Sequence, residues 1–178
     1  MSLNSRVIAA LGAVVVVGAG TVGGSIAYAS GQTEISDHRV TLTVGNSSQV
    51  QDPFCANDDG SPLSDDDQQK CSKKAQDALK AGTLPSSDVM LSDRVGVGVS
   101  PEVAKKGWVA FSNGGPVSGG GQFTVSSWSK NGSTYSGSHA ASQLLNSSGR
   151  TLITVVEGDR DLESPTAIWY FQLNTQDS

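Results

Sequence analysis

The stretch "VVVVGAGTVGGS", residues 14–25, decides between two folds. Four valines followed by Gly18, Gly20 and Gly23 match G-x-G-x-x-G, the strand–turn–helix that cradles a dinucleotide pyrophosphate. That site needs a helix after the glycines, an acidic residue about 20 positions on, and a parallel sheet around it. Asp37 stands at an acceptable distance. A helix from Gly23 would meet Ser30-Gly31 within a turn or two, however, and no strand–helix alternation comes after it. A different pattern surrounds the glycines. Residues 7–26 form a run of 20 without a charge, preceded by Arg6 and the amino terminus and followed by Ala27-Tyr28-Ala29. A basic start, an apolar middle and a small-residue exit make a secretory signal. The run is also about long enough to span a bilayer as a helix. Cleavage after Ala29 and retention as a membrane anchor both stay open. Arg6 on the short side places the bulk of the chain outside the cytoplasm. The valines and glycines therefore read as an N-terminal apolar helix, and the fold rests on the residues from Val40 onward.

The chain has 178 residues, 37% hydrophobic and 16% charged, with net charge −5. That length predicts one domain. Nucleic-acid binding needs clustered Lys and Arg, and no basic run here exceeds two residues. Nucleic acid is therefore excluded as a partner. The cysteines are two, Cys55 and Cys71. In an exported chain such a pair predicts one disulfide, whereas in the cytosol it would stay two thiols. Closing a separation of 16 residues would contribute roughly 3 kcal/mol through chain entropy.

Residues 40–44, "VTLTV", alternate apolar and polar as a half-buried strand does. Residues 45–50 read as a polar loop. Ser64 followed by Asp65, Asp66 and Asp67 is a helix start in the manner of a capping box, with acids at the positive end of the dipole. Cys71, Ala75, Ala78 and Leu79 share a face, Lys73, Lys74 and Lys80 come later, and Gly82 stops the helix. From Val89 onward the pattern is that of strands. Val95, Val97 and Val99 alternate with Gly96 and Gly98, so one face is apolar and the other bare enough for a close approach. Residues 100–104 read as a turn or helical corner. Further strands are expected at 108–111 and 122–128. Asn131-Gly132 signals a hairpin turn with a return strand at 134–136. Residues 150–157 and 167–173 alternate again, the latter with Ala167, Trp169, Phe171 and Leu173 on one side. The expected class is mainly β: an antiparallel immunoglobulin-like β-sandwich of about seven strands with one short surface helix. A small barrel is the alternative. Trp108 and Trp169 are read as core residues. The domain is expected at 39–174, with residues 1–29 as signal or anchor, 30–38 as linker and 175–178 as a polar tail.

The later two-thirds of the chain resembles the DUF2771 family of uncharacterised actinobacterial envelope proteins. The residues that carry this are "DPFCANDDG", Cys71, "VGVGVSPEVAKKGWVAFSNG" and the terminal "TLITVVEG…AIWYFQL". The resemblance covers about residues 40–173 and implies export. It brings no assigned activity and no catalytic residues. Many relatives look like lipoproteins, but Ser30 and Gly31 stand where the lipid-bearing Cys would be.

Chemistry-bearing motifs are few. His38 and His139 are both expected at the solvent-exposed surface. No G-x-S-x-G elbow is present. Ser127 and Lys130 match S-x-x-K, but on a strand and without S-D-N or K-T-G. Asp58, Asp59, Asp65, Asp66 and Asp67 lack the alternating ligand loop of a calcium site. No catalytic, cofactor-binding or metal residue is therefore assigned; the only assigned site is the disulfide Cys55–Cys71. The expected function is an exported, non-enzymatic domain that binds a cell-envelope or extracellular protein or glycan. If the N-terminal segment is kept, residues 7–26 contact the membrane. Residues 96–98, 112–121 and 158–166 are the expected binding surfaces. The alternative is a small secreted hydrolase with a site near His139.

Overall fold

Alternation of valine and leucine with small polar residues builds the first sheet. In β1 (Val40–Val44) the side chains of Val40, Leu42 and Val44 are buried, while Thr41 and Thr43 are half-buried on the other face. β5 (Arg94–Val99) pairs with it antiparallel, Val40 opposite Val99 and Val44 opposite Val95. The computed structural model describes residues 38–115, 122–129, 132–160 and 162–176. The N-terminal apolar helix, the signal or anchor reading of residues 1–29 and most of the linker lie outside these. Among the described residues no helix is long and apolar enough to cross a membrane.

The stretch expected to be a polar loop is a second strand, β2 (Ser47–Gln51), which pairs with β1. The two are joined by Gly45-Asn46, with φ +56° at Gly45 alone. A two-residue turn with positive φ at its first position matches the twist of a hairpin. The polar composition that suggested a loop reflects an edge strand with one exposed side. Beyond β2 come two short strands, β3 (Cys55–Ala56) and β4 (Ser86–Val89). Later in the chain lie β6 (Trp108–Ser112), β7 (Phe123–Ser129), β8 (His139–Ala140), β9 (Arg150–Glu157) and β10 (Ala167–Thr175). One sheet has the order β2-β1-β5-β8; the other runs β3-β10-β9-β6-β7, with β4 also beside β10. Pairings are antiparallel except β4 with β10. The architecture is the expected mainly β one, with ten strands among the described residues rather than about seven. β10 extends through Thr175, one residue into the expected tail.

The expected hairpin after β7 does not form. Tyr135 bridges Gly98 of β5 in the opposite sheet. Val99 N–H donates to Thr134 C=O at 2.9 Å, and Ser136 N–H to Val97 C=O at 2.9 Å. The bare glycine face explains this switch: a Cβ at Gly96 would overlap the Tyr135 ring. That face, expected to receive a partner, is covered by the chain itself.

The main core lies between the sheets. Trp108, Trp169, Phe171, Leu42, Leu144 and Ile153 are its largest fully buried side chains. A smaller cluster lies on the outer face of β9 and β10, where Leu63, Cys71 and Ile168 are buried with Phe54, Val156 and Tyr170 against them. Helix α1 (Asp65–Ala81) covers it with Cys71 and Ala75. Its ends obey the sequence signals. Ser64 accepts a bond from Asp67 N–H at 3.2 Å, and Gly82 sits at φ +67° with its N–H turned back to the last carbonyls. Cys55 and Cys71 form the expected disulfide, with Cα atoms 6.1 Å apart. The corner at 100–104 is the short helix α2 (Pro101–Lys106).

Candidate functional site

The inward parity of β9 has an unusual last member. Thr151, Ile153, Val155 and Glu157 alternate inward and are buried. Glu157 is wholly inaccessible to solvent. A carboxylate taken out of water is costly unless charge and hydrogen bonds compensate it. Three elements supply that compensation. Lys106, in the last turn of α2, brings Nζ to 3.1 Å from Oε1. Thr166, just before β10, donates its hydroxyl to the same oxygen and its N–H to the Glu157 carbonyl at 2.8 Å. His38, ahead of β1, places Nε2 3.5 Å from Oε2, within ion-pair distance. Among the described residues Oε2 accepts no hydrogen bond. One carboxylate oxygen is therefore fixed by two donors, and the other is not.

This carboxylate lines an open recess of about 330 Å³. His38, Lys106 and Thr166 form the inner part, and residues 56–60 form the outer wall. Local chemistry shapes that wall. Asn57 C=O accepts from Gly60 N–H at 2.9 Å, and the Asn57 amide donates to Ser61 C=O at 3.3 Å and Pro62 C=O at 3.0 Å. Gly60 takes φ +68°, which an L side chain adopts only with strain. Asp58 and Asp59 stand at the rim. Hydrogen bonds from Ser61, its hydroxyl first, hold the Asp59 carboxyl below its ordinary value, so it remains ionised at neutral pH. The wall is pinned twice: Ala56 pairs with Ala167 of β10, and the adjacent Cys55 is bonded to α1.

Two smaller recesses flank it. One, about 300 Å³, is lined by Gln51, Asp52, Pro53, Phe54, Pro85 and Tyr170. There Phe54 meets Tyr170 edge to face at 5.3 Å between ring centroids, and burial pushes the Tyr170 phenol up. The other, about 240 Å³, lies against the disulfide with Lys70 and Lys74 at its edge.

The expectation of two solvent-exposed histidines needs correction. His38 is not a freely solvated side chain but part of the Glu157 cluster, with 34% of its side chain exposed. His139 is half-buried and packs edge-on against Phe123, ring centroids 6.3 Å apart. It sits opposite Val95, while His38 lies at the Val99 end of β5. The fold thus keeps the two histidines apart. Asp58 and Asp59 line the recess, whereas Asp65, Asp66 and Asp67 form the first turn of α1. Among the described residues no group of three or more His, Cys, Asp or Glu is placed to hold a metal ion. Ser127 lies on β7, and Lys130 is outside the described residues. Of the loop expected at 112–121, residues 116–121 are also outside them.

Glu157, Lys106 and Thr166 carry no motif, so a motif search passes over them. One signal was present: continuing the 151-153-155 alternation by a single step puts an acid on the core face. No family model, no curated protein and no solved structure matches the chain.

Proposed function

We propose that the chain is an exported, non-enzymatic β-sandwich that binds a cell-envelope or extracellular partner, with the Glu157 recess as its binding site. The observation that carries the binding reading is a fully buried carboxylate with one oxygen accepting no hydrogen bond, at the floor of an open recess. Recesses with a few convergent polar groups are where ligands bind. The wall facing this one belongs to the segment that the disulfide pins, which suits an oxidising compartment. Export is supported by the uncharged run at 7–26 followed by Ala27-Tyr28-Ala29. Kinship with the DUF2771 envelope proteins is part of this proposal and rests on the order of the sequence blocks.

Intact mass of the protein from fractionated native cells, with and without reduction, tests the compartment. A disulfide-bonded product outside the cytoplasm, either starting near Ser30 or full-length in the membrane fraction, supports the reading. A full-length, soluble, reduced product overturns it and reopens nucleotide binding at Gly18–Gly23.

A further inference from the structure

The Glu157 recess has a charge pattern that selects among ligands. Its lining carries three carboxylates, Glu157, Asp58 and Asp59, against one ammonium, Lys106, with His38 beside them. The ammonium is committed to Oε1, where the Thr166 hydroxyl also donates. Among the described residues Oε2 of the same buried carboxylate accepts no hydrogen bond, and His38 Nε2 lies 3.5 Å from it. An incoming donor would complete the coordination of that oxygen. A charged donor would do so best, because a charge-assisted hydrogen bond is roughly twice as strong as a neutral one. The two aspartates at the rim act in the same direction: charges of one sign clustered at the mouth of a cleft concentrate the opposite sign there. An anionic ligand would meet three carboxylates, and a neutral polyol would gain nothing from the rim.

We propose that the Glu157 recess recognises a primary ammonium group, steered in by Asp58 and Asp59 and paired with Glu157 Oε2 once the His38 imidazole, 3.5 Å from that oxygen, gives way. This deepens the binding function proposed for the same recess and rests on it. An alkyl ammonium presents three donors on a compact head, and the recess supplies acceptors at both depths: the carboxylate at the floor and the aspartates at the rim. Two sources share this chemistry, a free small amine and the lysine side chain of a peptide.

The test titrates the full, disulfide-intact chain by calorimetry at low ionic strength. The probes are cadaverine, Nα-acetyl-lysine methylamide, N,N′-diacetylcadaverine, acetate and glucose. One or both of the ammonium probes should bind, and the diacetylated form should not. Preference for cadaverine points to a free amine, and preference for the lysine derivative to a peptide. Glu157→Gln should weaken binding by roughly tenfold or more, as loss of a charged partner does. Asp58→Asn with Asp59→Asn should weaken it less and flatten its salt dependence. The rim residues are exposed, so this variant keeps the proposal falsifiable even where Glu157→Gln fails to fold. Equal ammonium binding by wild type and the rim variant at all salt concentrations overturns the steering role. Equal binding by a folded Glu157→Gln chain overturns the floor contact. Binding of acetate or glucose without either ammonium probe overturns the ammonium assignment while the recess stands as a binding site. No binding by any probe counts against both.

Discussion

The two faces of β9 and β10 bury very different cores. The inner face meets the other sheet through Trp169, Phe171, Leu173, Ile153 and Val155, within a cluster of some twenty buried residues. The outer face carries an apolar cluster of three buried residues, Leu63, Cys71 and Ile168, under a helix whose other side is solvated. Hydrophobic stabilisation grows with apolar area removed from water. The inner core therefore contributes most of the apolar burial, and the outer layer little. The disulfide lies in the outer layer, where burial is scarcest and a cross-link contributes most relative to packing. The same comparison explains the recess. Its floor, Glu157, is the last inward residue of the strong core, while its outer wall belongs to the weak layer.

This contrast can be broken by experiment. Trp169→Ala, which empties a fully buried site in the inner core, should cost about 3–5 kcal/mol and bring the chain close to unfolding. The urea midpoint measures it. A loss below about 1 kcal/mol would mean that the inner core is not the dominant one. Removing the disulfide with Cys55→Ser and Cys71→Ser should cost roughly 3 kcal/mol. Hydrogen exchange then locates the damage: α1 and residues 55–63 should exchange faster by local opening, with β9 amides still limited by global unfolding. Equal acceleration in both regions would show one cooperative unit instead of two unequal ones. Gly96→Ala should cost about 1–3 kcal/mol by overpacking against Tyr135. Tyr135→Ala in the same chain should recover most of that loss, since the clash is with that ring. Failure of the rescue would place the cost in the backbone. The smallest effect is expected at the helix start. Ser64→Ala should cost about 1 kcal/mol, the usual worth of an N-cap, read by the same urea midpoint and with little change in β9 protection.

Much of this fold was legible residue by residue. The valine and threonine alternation of β1, the odd-position apolar residues of β10 and the Ser64 and Gly82 caps are local signals, and local signals survive into the structure. What was misread depended on partners far away in sequence. Residues 45–50 read as a polar loop because the edge strand at 47–51 exposes one side. Residues 134–136 looked like a hairpin return because Asn131-Gly132 is a strong local turn signal. The glycine face of β5 offered a better surface, and no window around 134–136 contains that information. β3 and β4 are too short for alternation to register; they exist because β10 presents an unpaired edge. His38 gave no hint of its neighbour for the same reason, lying 119 positions before Glu157.

The sequence by itself determined the β character, the helix with its two caps, the core aromatics and the cysteine pair, because periodicity, capping and apolar content act over a few residues. Only the tertiary structure decided which edge each short strand joined, what covered the glycine face, and that His38, Lys106, Thr166 and Glu157 would meet. Those outcomes depend on which surfaces the sheets bring together, and a buried carboxylate finds its compensating charges only after the chain has closed around it.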